Sequence, residues 1–112
     1  MTKYIPLKEN AAATHIKIDL RYDLGGYNMF DYTPKKRGYY LHVTPVTREN
    51  RGSYVMESFT AFSGYKQLIS EVTRKSAKAE AQAEAEAAEI MDLMISRVCQ
   101  KNGLELAQEV TA

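Results

Sequence analysis

Residues 62–103 read FSGYKQLISEVTRKSAKAEAQAEAEAAEIMDLMISRVCQKNG, and the fold turns on where the periodicity of this stretch changes. Tyr65, Ile69, Val72, Ser76, Ala79, Ala83, Ala87, Ile90, Met94 and Val98 recur every three or four residues, one stripe down a single helix. No Pro or Gly interrupts the run from Tyr65 to Asn102, and Asn102-Gly103 ends it. At 1.5 Å per residue the predicted helix runs about 57 Å, so part of it overhangs any sheet it packs on. Its centre, KAEAQAEAEAAE, puts alanine where the ends put Tyr, Ile, Met and Val. That admits two readings: close approach of another backbone, or a solvated connector held by helix propensity.

Upstream of this run the period is two. Thr14 to Asp23, THIKIDLRYD, puts Ile16, Ile18, Leu20 and Tyr22 on one face and His15, Lys17, Asp19 and Arg21 on the other, the pattern of a half-buried antiparallel strand. GYYLHVTPV, residues 38–46, repeats it with Tyr39, Leu41 and Val43 inward, and Pro45 marks a sheet edge or bulge. RENRGS supplies turn chemistry, and Ser53–Phe62 reads as a third strand with a bulge. LELAQEV, residues 104–110, reads as an edge strand rather than a helical turn, because Gly103 changes the chain direction. The order β-β-β-α-β predicts an α+β fold, an antiparallel sheet of three or four strands packed on one long C-terminal helix. The 112 residues make one domain, with 1–13 expected as a flexible lead-in.

Several function classes are set aside by composition. No apolar run approaches the roughly 18 residues of a spanning helix, and the N-terminus has no apolar signal core, so a cytoplasmic protein is expected. Cys99 is the only cysteine, which excludes an internal disulfide and a cysteine-rich zinc site; among apolar helical neighbours it reads as a small buried hydrophobe. Gly25-Gly26 lacks the glycine spacing and following Lys-Ser/Thr of a phosphate loop, so neither a nucleotide nor another cofactor is expected. His15 and His42 occupy outward strand positions, but no third group for metal binding or catalysis is identifiable by spacing. A binding protein is therefore expected rather than an enzyme.

Three stretches are candidates for binding. YDLGGYNMFDYTPKKRGYY, residues 22–40, holds six of the eleven aromatic residues and three consecutive basic ones. Rings interleaved with positive charge are what single-stranded nucleic acid uses for stacking and phosphate contact, which singles out Tyr27, Phe30, Tyr32, Lys35, Lys36, Arg37 and Tyr40. The structural alternative is a hairpin tip whose tyrosines cover the sheet end. The acid-rich helix offers Glu80 and Glu84 as a contact face for a basic partner, against the plainer reading of a solvated helix. Beyond the stripe IMDLMISRVC is apolar on more than one side, so a homodimer through Ile90, Met91, Met94, Ile95 and Val98 is expected, with a folded-back C-terminal strand as the alternative cover. Charge is asymmetric: residues 1–51 carry nine Lys/Arg against five Asp/Glu, residues 52–112 six against nine.

GGYNMF, RGYYLHVTPV, FSGYKQL, EVTRKSAKAEAQAEAEA and KNGLEL together resemble small uncharacterised accessory proteins of phages and conjugative elements of gut bacteria, over most of the chain from about Ile16. The resemblance implies a mobile-element setting that includes inhibitors of host defence, among them anti-CRISPR proteins, and DNA-handling factors. It implies a host protein that handles nucleic acid, such as a CRISPR effector, as partner. It carries no functional residue over. Direct binding of single-stranded DNA or RNA through residues 22–40 is the alternative.

Overall fold

The computed structural model describes residues 1–8 and 12–107. Its elements are β1 (Thr2–Pro6), β2 (His15–Asp23), β3 (Gly26–Tyr27), β4 (Pro34–Lys35), β5 (Gly38–Asn50), β6 (Val55–Phe59), β7 (Tyr65–Glu71) and α1 (Ala77–Asn102). All strand pairings are antiparallel, and the helix covers one face of the main sheet, the α+β arrangement that the periodicity predicts.

β5 is the hub. Along one edge it pairs with β2, from His15↔Val46 to Asp23↔Gly38, and β1 pairs beyond β2. Its other edge is shared end to end by two strands, β7 over Gly38–Val43 and β6 over Val46–Asn50. Pro45 lies where these two meet. The Val46 carbonyl accepts from the Thr14 N–H on the β2 side, whereas the Pro45 carbonyl accepts from Thr60 Oγ1 on the opposite edge. Successive residues of a strand address opposite edges, so the missing N–H of Pro45 points into the junction between β6 and β7. Proline therefore sits inside the central strand without costing a ladder bond. β5 runs on to Asn50, four residues past the end expected at Val46, and projects with β6 as a hairpin whose Tyr54, Val55, Met56 and Phe59 are exposed.

Ile16, Ile18 and Leu20 of β2 and Tyr39, Leu41 and Val43 of β5 face the helix, as their alternation requires, and all are buried. α1 answers with Ala83, Ala87, Met94, Ile95, Val98 and Cys99. Ala83 and Ala87 are fully buried, which settles the alanine-rich centre: it is a close-approach surface, where small side chains let the helix backbone lie near the sheet. The Ser76 side chain accepts the Ala79 N–H at the helix start, and Gly103, in the left-handed region, returns its N–H to the Cys99 and Gln100 carbonyls at the end.

Several expectations need correction. The helix begins at Ala77, not Tyr65; residues 65–71 are β7, because the Gly38–Val43 edge of β5 presents a row of backbone groups that a strand satisfies and a helix cannot. The 26 residues of α1 span about 39 Å, not the roughly 57 Å expected of the longer helix. Of residues 1–13, expected to be flexible, Thr2–Pro6 form β1 and Leu7 and Ala13 are buried, while residues 9–11 lie outside the described residues. Finally, Met94, Ile95 and Val98 are buried inside this chain and Ile90 and Met91 half-buried against the same core, so the face assigned to a homodimer is already covered. Part of the cover is the returning C-terminal segment, where Leu104 is buried and Leu106 bridges Leu7. Of the edge strand read at 104–110, that single bridge is present; residues 108–110 lie outside the described residues.

Candidate functional site

Within the stretch 22–40, residues 24–37 form an arm between β2 and β5. Asp23 Oδ1 accepts the Gly25 N–H to start the turn, and Gly25 takes φ +80° with its Cα so close to the Lys35 carbonyl that a Cβ would stand 2.8 Å from it. β3 and β4 then pair as a two-stranded ladder, Gly26↔Lys35 and Tyr27↔Pro34. At the tip the Asn28 N–H donates to the Thr33 carbonyl and the Tyr32 N–H to the Asn28 carbonyl; Asn28 Oδ1 accepts the Phe30 N–H, and Asp31 Oδ1 accepts from the Thr33 N–H and hydroxyl. With these polar groups bonded within the tip, its apolar side chains have no protein surface to cover. Met29 is 89% exposed and Phe30 97%, and Tyr27 and Tyr32 are also exposed.

The sequence-predicted residues divide. Tyr27, Phe30 and Tyr32 are on the arm and open to solvent. Tyr22 and Tyr39, from the same stretch, belong to the core, ring centroids 5.2 Å apart. Tyr40 lies on the helix-free face, buried under the arm, its hydroxyl donating to the Lys36 carbonyl at 2.7 Å. The basic run is partly tied down within the chain. Lys35 Nζ pairs with Asp23 at 2.5 Å, which raises the Lys35 pKa and lowers that of Asp23. Lys36 Nζ stands 3.8 Å from Glu71, and the Arg37 guanidinium donates to the Leu24 and Thr73 carbonyls, clamping the arm's base. Glu80 and Glu84 are half-exposed on α1, on the other side of the sheet, where Glu80 sits favourably in the first helical turn. The arm and these acids therefore do not form one contact face.

Between arm and sheet opens a cleft of about 470 Å³. Tyr27, Met29, Phe30 and Pro34 wall it, and Lys35, Tyr40 and Lys66 form its floor. Both ammonium groups lie over the Tyr40 ring, Lys35 Nζ 5.9 Å and Lys66 Nζ 4.7 Å from its centroid. Partial burial, then the neighbouring Lys35, push the Lys66 pKa down. Met29 and Lys66 are the members that the sequence reading missed. Met29 is neither ring nor charge, and the 3.6-residue period from Tyr65 onward places Lys66 on a helix rather than on the strand beside Tyr40.

The remainder of this sheet face is closed upon itself. Asp19 accepts from Thr2 and Arg21; burial works to raise its pKa, but these hydrogen bonds outweigh it and the pKa lies low. Lys17 Nζ lies 2.8 Å from Glu57 Oε2, and the Arg48 guanidinium stacks 3.8 Å over the Tyr4 ring. His15 aligns with Val46 and His42 with Asp19, four register steps apart, and Cys99 lies on the helix side, so the sheet does not bring these three together. Among the described residues no three His, Cys, Asp or Glu side chains gather as a metal site would need, and no helix is long and apolar enough to cross a membrane. No protein-family model, curated protein or solved structure matches the chain.

Proposed function

We propose that the protein acts by binding, without catalysis, and that its arm docks into an apolar pocket of a partner protein. The observation that carries this reading is the pair Met29 and Phe30, 89% and 97% exposed at the end of a tip whose polar groups are hydrogen-bonded. Neither side chain helps this chain fold. In a partner's pocket each would return about 1.5–3 kcal/mol, the scale of an interface hot spot. The resemblance to mobile-element accessory proteins points to a host protein that handles nucleic acid, such as a CRISPR effector, as the partner class, with inhibition by occlusion as the mode.

Stacking of single-stranded nucleic acid on Tyr27, Phe30 and Tyr32 is the rival, favoured by the exposure of those rings. Against it, Asp23 pairs with Lys35 and two backbone carbonyls hold Arg37 at the arm's base. Among the described residues this leaves only Lys36, 3.8 Å from Glu71, and Lys66 open near the rings, whereas a strand-binding groove tracks the backbone with a row of basic groups. The test has two arms. Labelled single-stranded DNA and RNA, titrated at about 50 and 200 mM salt, are expected to show no micromolar binding; affinity that collapses at the higher salt establishes the rival. Biosensor binding to purified CRISPR effectors is expected to fall at least about tenfold with Phe30→Ala at unchanged melting temperature. Full binding by that variant refutes docking through the arm.

A further inference from the structure

The cleft floor holds more positive charge than its surroundings neutralise. Lys35 is matched by Asp23, whereas among the described residues no carboxylate comes within 4 Å of Lys66 Nζ. The Tyr40 ring is held by its hydroxyl bond to the Lys36 carbonyl, so both cations gather about one fixed ring. The walls are mainly apolar, Tyr27, Met29, Phe30 and Pro34, with Asn28 and Thr33 between them. A group that fits this lining carries one negative charge beside an apolar body.

We infer that the cleft receives an acidic segment of the partner protein, a carboxylate side chain flanked by apolar ones, with Lys66 as the residue that selects it. This rests on the docking reading: Phe30 and Met29 enter the partner while the partner's carboxylate enters the cleft. A carboxylate over Lys66 brings the one charge the floor lacks, and its neighbours cover Met29 and Pro34. A nucleic-acid strand fits less well, because successive phosphates bring further charges toward Asp31 at the tip and Asp23 at the base. Charge complementarity of this kind sets partner choice more than total affinity.

The test uses the full chain and three probes: acetyl-Leu-Glu-Leu-amide, its Gln counterpart and the dinucleotide TpT, each titrated to about 10 mM while the Met29 methyl resonance is followed by NMR. The Glu peptide is expected to shift that resonance and saturate, and the Gln peptide to bind about fivefold more weakly. Lys66→Ala and Lys66→Gln should both erase the Glu-over-Gln preference, and because Lys66 is exposed neither should lower the melting temperature. Equal binding of the two peptides, a preference that survives in both variants, or no shift with either peptide overturns the inference. Saturation by TpT at lower concentration than the Glu peptide also overturns it, in favour of a nucleotide. The two readings fail separately. Loss of the Glu preference while Phe30→Ala still weakens effector binding removes the cleft inference alone; intact effector binding by Phe30→Ala removes the docking reading beneath it.

Discussion

Gly38 is the position at which a single methyl group should do most harm. It opens β5 at the base of the arm, paired with Asp23 on one side and Glu71 on the other. A Cβ there would stand 2.1 Å from the Ser70 carbonyl oxygen and 2.9 Å from Glu71 Cα. Carbon and carbonyl oxygen approach to about 3.3 Å, so more than 1 Å of movement is needed, roughly the whole difference between those two distances. The obstacles are backbone atoms held in a ladder, not flexible side chains, so β7 must peel from β5. Overpacking of this kind costs about 1–3 kcal/mol, and we place Gly38→Ala at the upper end. With an unfolding entropy of about 2.1 cal/mol/K per residue over 112 residues, about 2.5 kcal/mol lowers the melting temperature by about 10 °C. Gly52→Ala is the internal control. Gly52 also has a positive φ, +82°, but nothing lies within 4 Å of its would-be Cβ, so only left-handed strain of about 1 kcal/mol applies, or about 4 °C. Circular dichroism melts of both variants, with urea titrations for the slope, decide the matter. A Gly38→Ala protein that melts within 2 °C of the parent, or no lower than Gly52→Ala, would refute the steric argument.

Three further outcomes are expected. Lys17 above all, then Tyr4, hold the Glu57 carboxyl below its ordinary 4.5, so the group adds stability above about pH 4.5 that is lost as the pH falls through its lower folded value. Glu57→Gln should flatten that acid limb in urea titrations from pH 5 to pH 3, and an unchanged limb would contradict the assignment. Ser76→Ala removes the side-chain acceptor of the Ala79 N–H and should cost about 1 kcal/mol by thermal melting; a loss below 0.3 kcal/mol would mean that the cap contributes little. Burial pushes the Cys99 thiol up and covers it, so a thiol reagent at pH 8 should modify it only as fast as the helix end opens, and in denaturant at once. Equal rates in both conditions would place the thiol at the surface.

What the sequence made legible and what it hid follow a physical division. β2 and β5 were readable because each has one buried face and one polar face, so alternation reports their geometry directly. Gly103 was readable because a helix end needs a left-handed residue. β7 was misread for a definite reason: a bulge opposite Tyr39 and Tyr40 shifts its phase, so Ile69 and Val72, three residues apart, both lean on the core and imitate a helical turn. Ser76, preceding the Ala/Glu run, was the local signal for the true helix start. β1 was hidden because it is an edge strand, exposed or half-buried along its length, so no alternation of buried and polar positions marks it. The apolar helix end looked unpartnered because its cover, Leu7 and Leu104, comes from the two ends of the described chain. At the candidate site the arm was locatable from composition, but pairing was not. Nothing in the run Lys35-Lys36-Arg37 says that Asp23, Glu71 and two carbonyls meet it.

β5 has one more consequence. The same strand ends near the arm at Gly38 and in the exposed β5–β6 hairpin at Asn50, and its 13 residues at about 3.3 Å each separate the two by about 40 Å. The spacing is that of a rigid ruler, not of a tether. For a partner, or a pair of partners, met at both ends, the second contact would come at an effective concentration fixed by hydrogen-bonded backbone, without the loss that a flexible linker imposes. The same rigidity makes such bivalence intolerant: a target whose two pockets are spaced by a different distance gains nothing from the second end, so length along a single strand becomes a means of discrimination.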